Sequence, residues 1–193
     1  MPINLRSEPL RQQKFEIFSL LATASEMSIH WKGIWEHVAR EFRCDRDSIH
    51  GPSHWRRVER NGLLVATRSG AVQEVVRLFA VFHDSRREHD GWDDAHGAQG
   101  AAYAAKLRGV LFDISDKHFE LLHEACTWHT HGRLSAEPTI GTCWDADRLD
   151  LGRVGIQPEA DYMSTEFGRE IAAYDTVPNY LERSGLKLPE PLY

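Results

Sequence analysis

Apolar residues along this chain recur at three- and four-residue intervals, the spacing of a helical face with a period of about 3.6 residues, and strict two-residue alternation is scarce. An all-α, single-domain helical bundle follows. The clearest segment is Val72, Val75, Val76, Phe79 and Phe82, the pattern of a core-facing helix. The same spacing and its punctuation predict further helices at Pro9 to about Ala22, Ser28 to Phe42, Gly51-Pro52-Ser53 to Ser69 with Gly70 as the stop, Ala95 to Arg108, Ser115 to His129, Thr139 to Leu151, and Glu166 to Ser184. Arg86 to Asp94 is polar and reads as a loop, and Pro189 and Pro191 mark a loose tail. The chain has 193 residues, the size of one domain: residues 1–45 are expected to pack as N-terminal helices on a core of about 49–155, with 186–193 as the tail.

Charge and cysteine usage narrow the function classes. Acidic residues number 29 against 23 basic ones, a net charge of -6, which argues against bulk capture of nucleic acid but leaves room for a small basic pocket for one phosphorylated ligand. The longest apolar-dominated stretch, Val75 to Phe82, is short and contains Arg77, so no membrane span is expected. Met1 to Lys14 is polar, without a secretory core. Cys44, Cys126 and Cys143 form no CxxC, which leaves neither a disulfide framework nor a thiolate zinc site and suggests a reducing, cytoplasmic setting.

Histidine is the unusual residue. There are 11, most of them between His50 and His131. Extending the Val72 pattern by one turn past Phe79 reaches His83, and Asp84 follows directly. In the Thr139 helix, Ile140, Cys143, Trp144 and Leu151 share a face that Asp147 completes, while Asp145 points away. His129 sits near the centre of the face made by Leu122, Ala125 and Cys126, whereas His123 lies about 120° round the wheel. His96 opens a helix whose Gly100, Tyr103, Ala104 and Leu107 share its side, with Gly100 leaving room for close approach. His54 lies one turn before Val58. A single inward histidine or aspartate is ordinarily a hydrogen-bonded core residue, but six of them, His54, His83, Asp84, His96, His129 and Asp147, call for a cation. Imidazole and carboxylate without thiolate suit Fe, Mn, Ni, Co or Zn in a hydrolytic site, with Mg not distinguished from these.

The ordered motifs His54-Trp55-Arg56-Arg57-Val58, His83-Asp84 and Asp145-Ala146-Asp147-Arg148-Leu149-Asp150 resemble those of the HD-domain superfamily of metal-dependent phosphohydrolases. The resemblance spans about Ile49 to Gly155. It implies that His54, His83, Asp84 and Asp147 bind a first metal; the family's last aspartate stands in an Ala-Asp pair, which selects Asp147, as the wheel does. In the two-metal subset, His96 and His129 would hold a second ion bridged by Asp84, with His123 and His131 as competitors of His129. The glycine-tyrosine-proline signature of cyclic-di-GMP phosphodiesterases is absent, and no sensor or synthetase segment accompanies the motifs, so a stand-alone catalytic module is expected.

The expected activity is hydrolysis of a phosphomonoester or phosphodiester of a small molecule, a nucleotide foremost, by water that one or two divalent ions activate. With a single metal, Asp84 or a neighbouring carboxylate would position that water. Arg86 is the preferred phosphate partner, as the residue whose loop leaves the metal site directly, with Arg87, Arg57, Arg133 and Arg148 as further candidates. Glu88, Asp150 and Glu124 are candidates for orienting ligand histidines, and Asp94 for capping the helix that follows. Of Trp55, Trp92, Trp128 and Trp144, most are expected in the core and some against a nucleobase. Two alternatives stand beside this reading: a di-iron HD-type oxygenase, and a non-catalytic HD module that binds a nucleotide. A homo-oligomer is left open.

Overall fold

The computed structural model describes residues 29–45 and 47–186. The helix predicted over Pro9 to Ala22 and the tail around Pro189 and Pro191 lie outside them. Within them the chain forms α1 (Trp31–Arg40), α2 (Pro52–Ser69), α3 (Gln73–Phe82), α4 (His96–Leu107), α5 (Asp116–Trp128), α6 (Pro138–Arg148), two 3₁₀ turns (Leu151–Val154 and Ala160–Tyr162), α7 (Glu166–Ala172) and α8 (Val177–Ser184). The fold is all-helical, as the apolar spacing predicts.

The ends of these helices follow from local chemistry. Gly70 stops α2 in the left-handed region at φ 76. Ser115 caps α5 by accepting the His118 amide, and Glu137 caps α6 by accepting the Ile140 amide at 2.7 Å, with a proline in the first turn of that helix. At the other end of the chain, one predicted helix is two. Asp175 takes φ 68, Thr176 caps a fresh start by accepting from Asn179, and Pro178 occupies the first turn of α8. A continuous helix cannot accommodate that backbone, so Glu166 to Ser184 breaks between Ala172 and Val177.

Helix α3 is the centre of the bundle. It packs against α1, α2, α4, α5 and α6, and every residue from Val75 to Phe82 is buried. Each such apolar side chain contributes about 1.5–3 kcal/mol over leaving it in water. Helices α2 and α6 lie side by side, as do α4 and α5. A second apolar cluster joins Leu64 and Val65 of α2 to Leu149, Met163, Phe167, Ile171, Val177 and Tyr180, fastening α7 and α8 to the far end. Among the described residues, no helix is long and apolar enough to cross a membrane.

Asp145 fastens the same region. It points away from Asp147, as the wheel requires, and its carboxylate accepts from the Ser164 amide at 2.6 Å, the Thr165 amide at 2.8 Å and the Thr165 hydroxyl at 2.7 Å. Asp145→Ala would strand these donors. The expected loss is about 3 kcal/mol of stability, read from chemical denaturation, with metal content unchanged. A loss below about 1 kcal/mol would remove Asp145 from this role.

Candidate metal centre

Five helices and one turn deliver the six residues to one place. His54 is in the first turn of α2. His83 is the C-cap of α3, and Asp84 lies in the turn beyond it. His96 begins α4, His129 is the C-cap of α5, and Asp147 is in the last turn of α6. Close backbone approach makes this convergence feasible. A Cβ on Gly100 would stand 2.3 Å from the Phe82 carbonyl oxygen, and one on Gly97 would stand 2.5 Å from that of Cys126. Only glycine at these positions lets α4 press its first turns against the ends of α3 and α5, which carry His83 and His129.

His54, His83 and Asp84 form one close group of donor atoms, which Asp147 adjoins through the two histidines, and Asp84, His96 and His129 form another. In the first, His54 Nε2 lies 3.1 Å from His83 Nε2, 3.2 Å from Asp147 Oδ1 and 3.6 Å from Asp84 Oδ2; His83 Nε2 lies 3.6 Å from Asp84 Oδ2 and 3.9 Å from Asp147 Oδ1. Donors bound at about 2.1 Å in a tetrahedral or octahedral shell stand about 3.0–3.4 Å apart, so this spacing is close to that of a coordination shell. In the second group, Asp84 Oδ1 lies 3.2 Å from His96 Nε2 and 3.6 Å from His129 Nε2, and the two nitrogens are 2.9 Å apart.

The other ring nitrogens fix the tautomers. His83 Nδ1–H donates to the Phe79 and Ala80 carbonyls, His129 Nδ1–H to that of Cys126, and His96 Nδ1–H to that of Asp93. His54 Nδ1–H donates to Asp150 Oδ2 at 2.7 Å, and Arg57 Nε holds the other oxygen of that carboxylate at 2.7 Å. Each Nε2 therefore turns a lone pair to the centre, an arrangement that repels unless a cation stands between. Asp147 Oδ1 is buried and has no hydrogen-bond donor. Lone pairs aimed at one another, and a carboxylate oxygen without a donor, are what a divalent cation requires, and the first group fits one.

Electrostatics divide the four rings. Burial holds the His83 imidazole down to about 3, so the ring is neutral and free to ligate. Burial lowers His96 as well. For His54, the neighbouring carboxylates of Asp147 and Asp150 outweigh burial and raise the ring, and Asp84 does the same for His129, so a cation bound there would displace a proton from each. Burial favours neutral carboxyls at Asp84 and Asp147, but the surrounding imidazoles outweigh it and keep both well below the usual carboxylate range.

The arginines are distributed differently from the expectation. Arg87, not Arg86, reaches the cluster: Arg87 Nε donates to Asp84 Oδ1 at 2.9 Å. The Arg86 side chain turns back to the Glu41 carbonyl at 3.2 Å and stacks over Tyr103. The main chain explains the swap, because Arg87 N bonds to Asp84 O in a tight turn that brings the third residue after Asp84 back over it. Arg148 is held by the carbonyls of Gly132, Arg133 and Tyr162, and the exposed Arg133 lies 5.9 Å from the Tyr162 ring centroid. Arg57 stays one step from the cluster, through Asp150.

Of the three outer carboxylates considered, Asp150 orients His54, Glu88 pairs with Arg43, and Glu124 is exposed. Asp93, not Asp94, accepts the Ala95 amide before α4; Asp94 faces His131 at 3.4 Å. His123 and His131 are exposed, which leaves His129 as the inward member of that trio. Trp55 and Trp144 are core residues, whereas Trp92 and Trp128 are exposed.

Two residues near the cluster escaped the sequence reading. His50 Nδ1 contacts Asp84 Oδ2 at 2.8 Å, and Arg153 NH2 lies 4.0 Å from Asp147 Oδ1. The only signal for His50 was its four-residue spacing from His54, but it precedes the helix, so the wheel says nothing of it.

An all-helical bundle carrying, in order, a histidine on one helix, a His-Asp pair at the end of the next and an aspartate on a later one is the architecture of the HD-domain superfamily. No family model matches the chain, and no curated protein does. Among solved structures it is similar to a predicted HD superfamily hydrolase from an uncultured Thermotogales bacterium, at 28% identity over 85% of this chain and 96% of that one, with a TM-score of 0.60.

Proposed function

We propose that this protein is a metal-dependent phosphohydrolase acting on a small phosphorylated compound, a nucleotide foremost. The observation that carries the reading is the first donor group, His54, His83, Asp84 and Asp147, with its facing lone pairs and the donorless Asp147 Oδ1. The similarity to a predicted HD superfamily hydrolase supports the hydrolytic class.

A divalent ion bound there supplies a water that ionises near neutral pH and positive charge for a phosphoryl group. The chain's own residues do the rest. Asp150 and the α3 carbonyls hold the His54 and His83 rings in register. His50 and Arg87 fix the Asp84 carboxylate from either side, so that it presents the same oxygen to each incoming ligand. Arg57, with its side chain 36% exposed and one nitrogen on Asp150, serves as the phosphate contact at the rim. Trp92 and Trp128 stand four residues before His96 and one before His129, and their exposed rings (77% and 53%) offer stacking faces for a base.

Incubation of the protein with Mn, Co, Ni or Mg, and with nucleoside mono-, di- and triphosphates and a chromogenic phosphodiester, tests this. Release of phosphate, nucleoside or nitrophenol that EDTA abolishes is expected. Nucleotide recovered intact after long incubation with metal-loaded protein supports the binding module instead, and oxygen uptake with a polyol or phosphonate supports the oxygenase; either outcome overturns the proposal.

A further inference from the structure

We infer that Arg87 takes the place of a second metal ion, so that the centre holds one divalent cation with the guanidinium as its neighbour. The inference rests on the metal-centre reading above and extends it to stoichiometry.

The two donor groups differ in what serves them. In the first, His54 Nε2 and His83 Nε2 face each other and Asp147 Oδ1 lacks a donor. In the second, His96 Nε2 and His129 Nε2 also face each other, at 2.9 Å, but protein donors stand beside two of the three ligand atoms. Arg87 Nε donates to Asp84 Oδ1 at 2.9 Å, Arg87 NH2 stands 3.4 Å from His96 Nε2, and the Thr130 hydroxyl stands 3.2 Å from the same nitrogen. Asp84 Oδ1 and His96 Nε2 are two of the three atoms a second ion would need, and both have the guanidinium beside them.

The arginine is built into this position. Its side chain is 10% exposed, its NH1 donates to the Gly91 carbonyl at 3.1 Å, and its own carbonyl accepts from Cys44 Sγ.

Charge points the same way. Asp84 and Asp147 are the carboxylates that face the cluster, while Asp150 is committed to Arg57 and His54. One divalent ion balances the first two. Among the described residues, a second divalent ion beside the Arg87 cation would find no further carboxylate facing it, and an unbalanced buried charge is costly. The di-iron oxygenase alternative needs both ions, so the same stoichiometry bears on it.

Equilibrium dialysis against Mn(II), followed by metal analysis and low-temperature EPR, reads the result. Wild type is expected to bind one Mn per chain with the spectrum of an isolated ion. Arg87→Gln, checked for folding by circular dichroism, is expected to bind two and to show the spin-coupled spectrum of a pair; Arg87→Lys, which keeps a cation, is expected to bind one. Two ions in wild type overturn the inference whatever the variants do, and so does a single ion in folded Arg87→Gln. Wild type that binds no Mn contradicts the metal centre itself, which is a separate failure.

Discussion

Replacing His83 with alanine is expected to abolish both metal binding and hydrolysis while leaving the protein folded. The ring lies at the convergence of the cluster, 3.1 Å from His54 Nε2 and 3.6 Å from Asp84 Oδ2, and burial already keeps it neutral. Losing it removes one donor and puts a cavity where the ring stacked on Phe79. Loss of an outer partner of a ligand typically weakens metal affinity about 10–100-fold, so loss of a ligand should exceed that range. The cavity adds a destabilisation of about 1–3 kcal/mol, which thermal unfolding separates from the metal effect. The variant should show no metal-dependent hydrolysis at any Mn concentration that saturates wild type. Unchanged affinity and turnover in folded His83→Ala would be incompatible with a catalytic role for the cluster.

The second large effect is expected at Asp150. Its carboxylate accepts His54 Nδ1–H at 2.7 Å and Arg57 Nε at 2.7 Å, so it sets both the tautomer and the tilt of a ligand ring without touching the ion. Asp150→Ala frees the ring to rotate, and metal affinity should fall about 10–100-fold. Asp150→Asn keeps an acceptor for the Nδ1–H and should lose less, which distinguishes ring positioning from a general loss of negative charge. Competition with a chromogenic chelator gives the affinities. If both variants bound Mn within about threefold of wild type, Asp150 would be a neighbour of the centre without influence on it, against the usual effect of such partners.

Most of the cluster was legible because its residues sit on helices, where spacing determines direction. His54, His96 and Asp147 are helical, and His83 and His129 are C-caps that continue the wheel by one residue. The wheel also separated Asp147 from Asp145, which turns to Ser164 and Thr165. What the wheel could not reach were residues beyond helix ends. The choice between Arg86 and Arg87 depends on the turn after Phe82, and the contact of Asp150 with His54 on a turn after α6, closed by the Asp150 amide on Asp147 O at 2.9 Å. His50 precedes α2 and is aimed by loop geometry alone. The break between α7 and α8 did leave a signal, since Thr176-Val177-Pro178 is a cap followed by a first-turn proline. The apolar period runs across that signal, which makes the predicted helix longer than either of the two observed.

The central claim is that side chains distant along the chain meet at one cation between α2, α3 and α6. Anomalous diffraction at the Mn absorption edge from crystals grown with Mn(II) tests it most directly. The account predicts an anomalous peak within about 2.0–2.3 Å of His54 Nε2, His83 Nε2, Asp84 Oδ2 and Asp147 Oδ1. A peak bound elsewhere, with those four atoms left without an ion at saturating Mn, would contradict it.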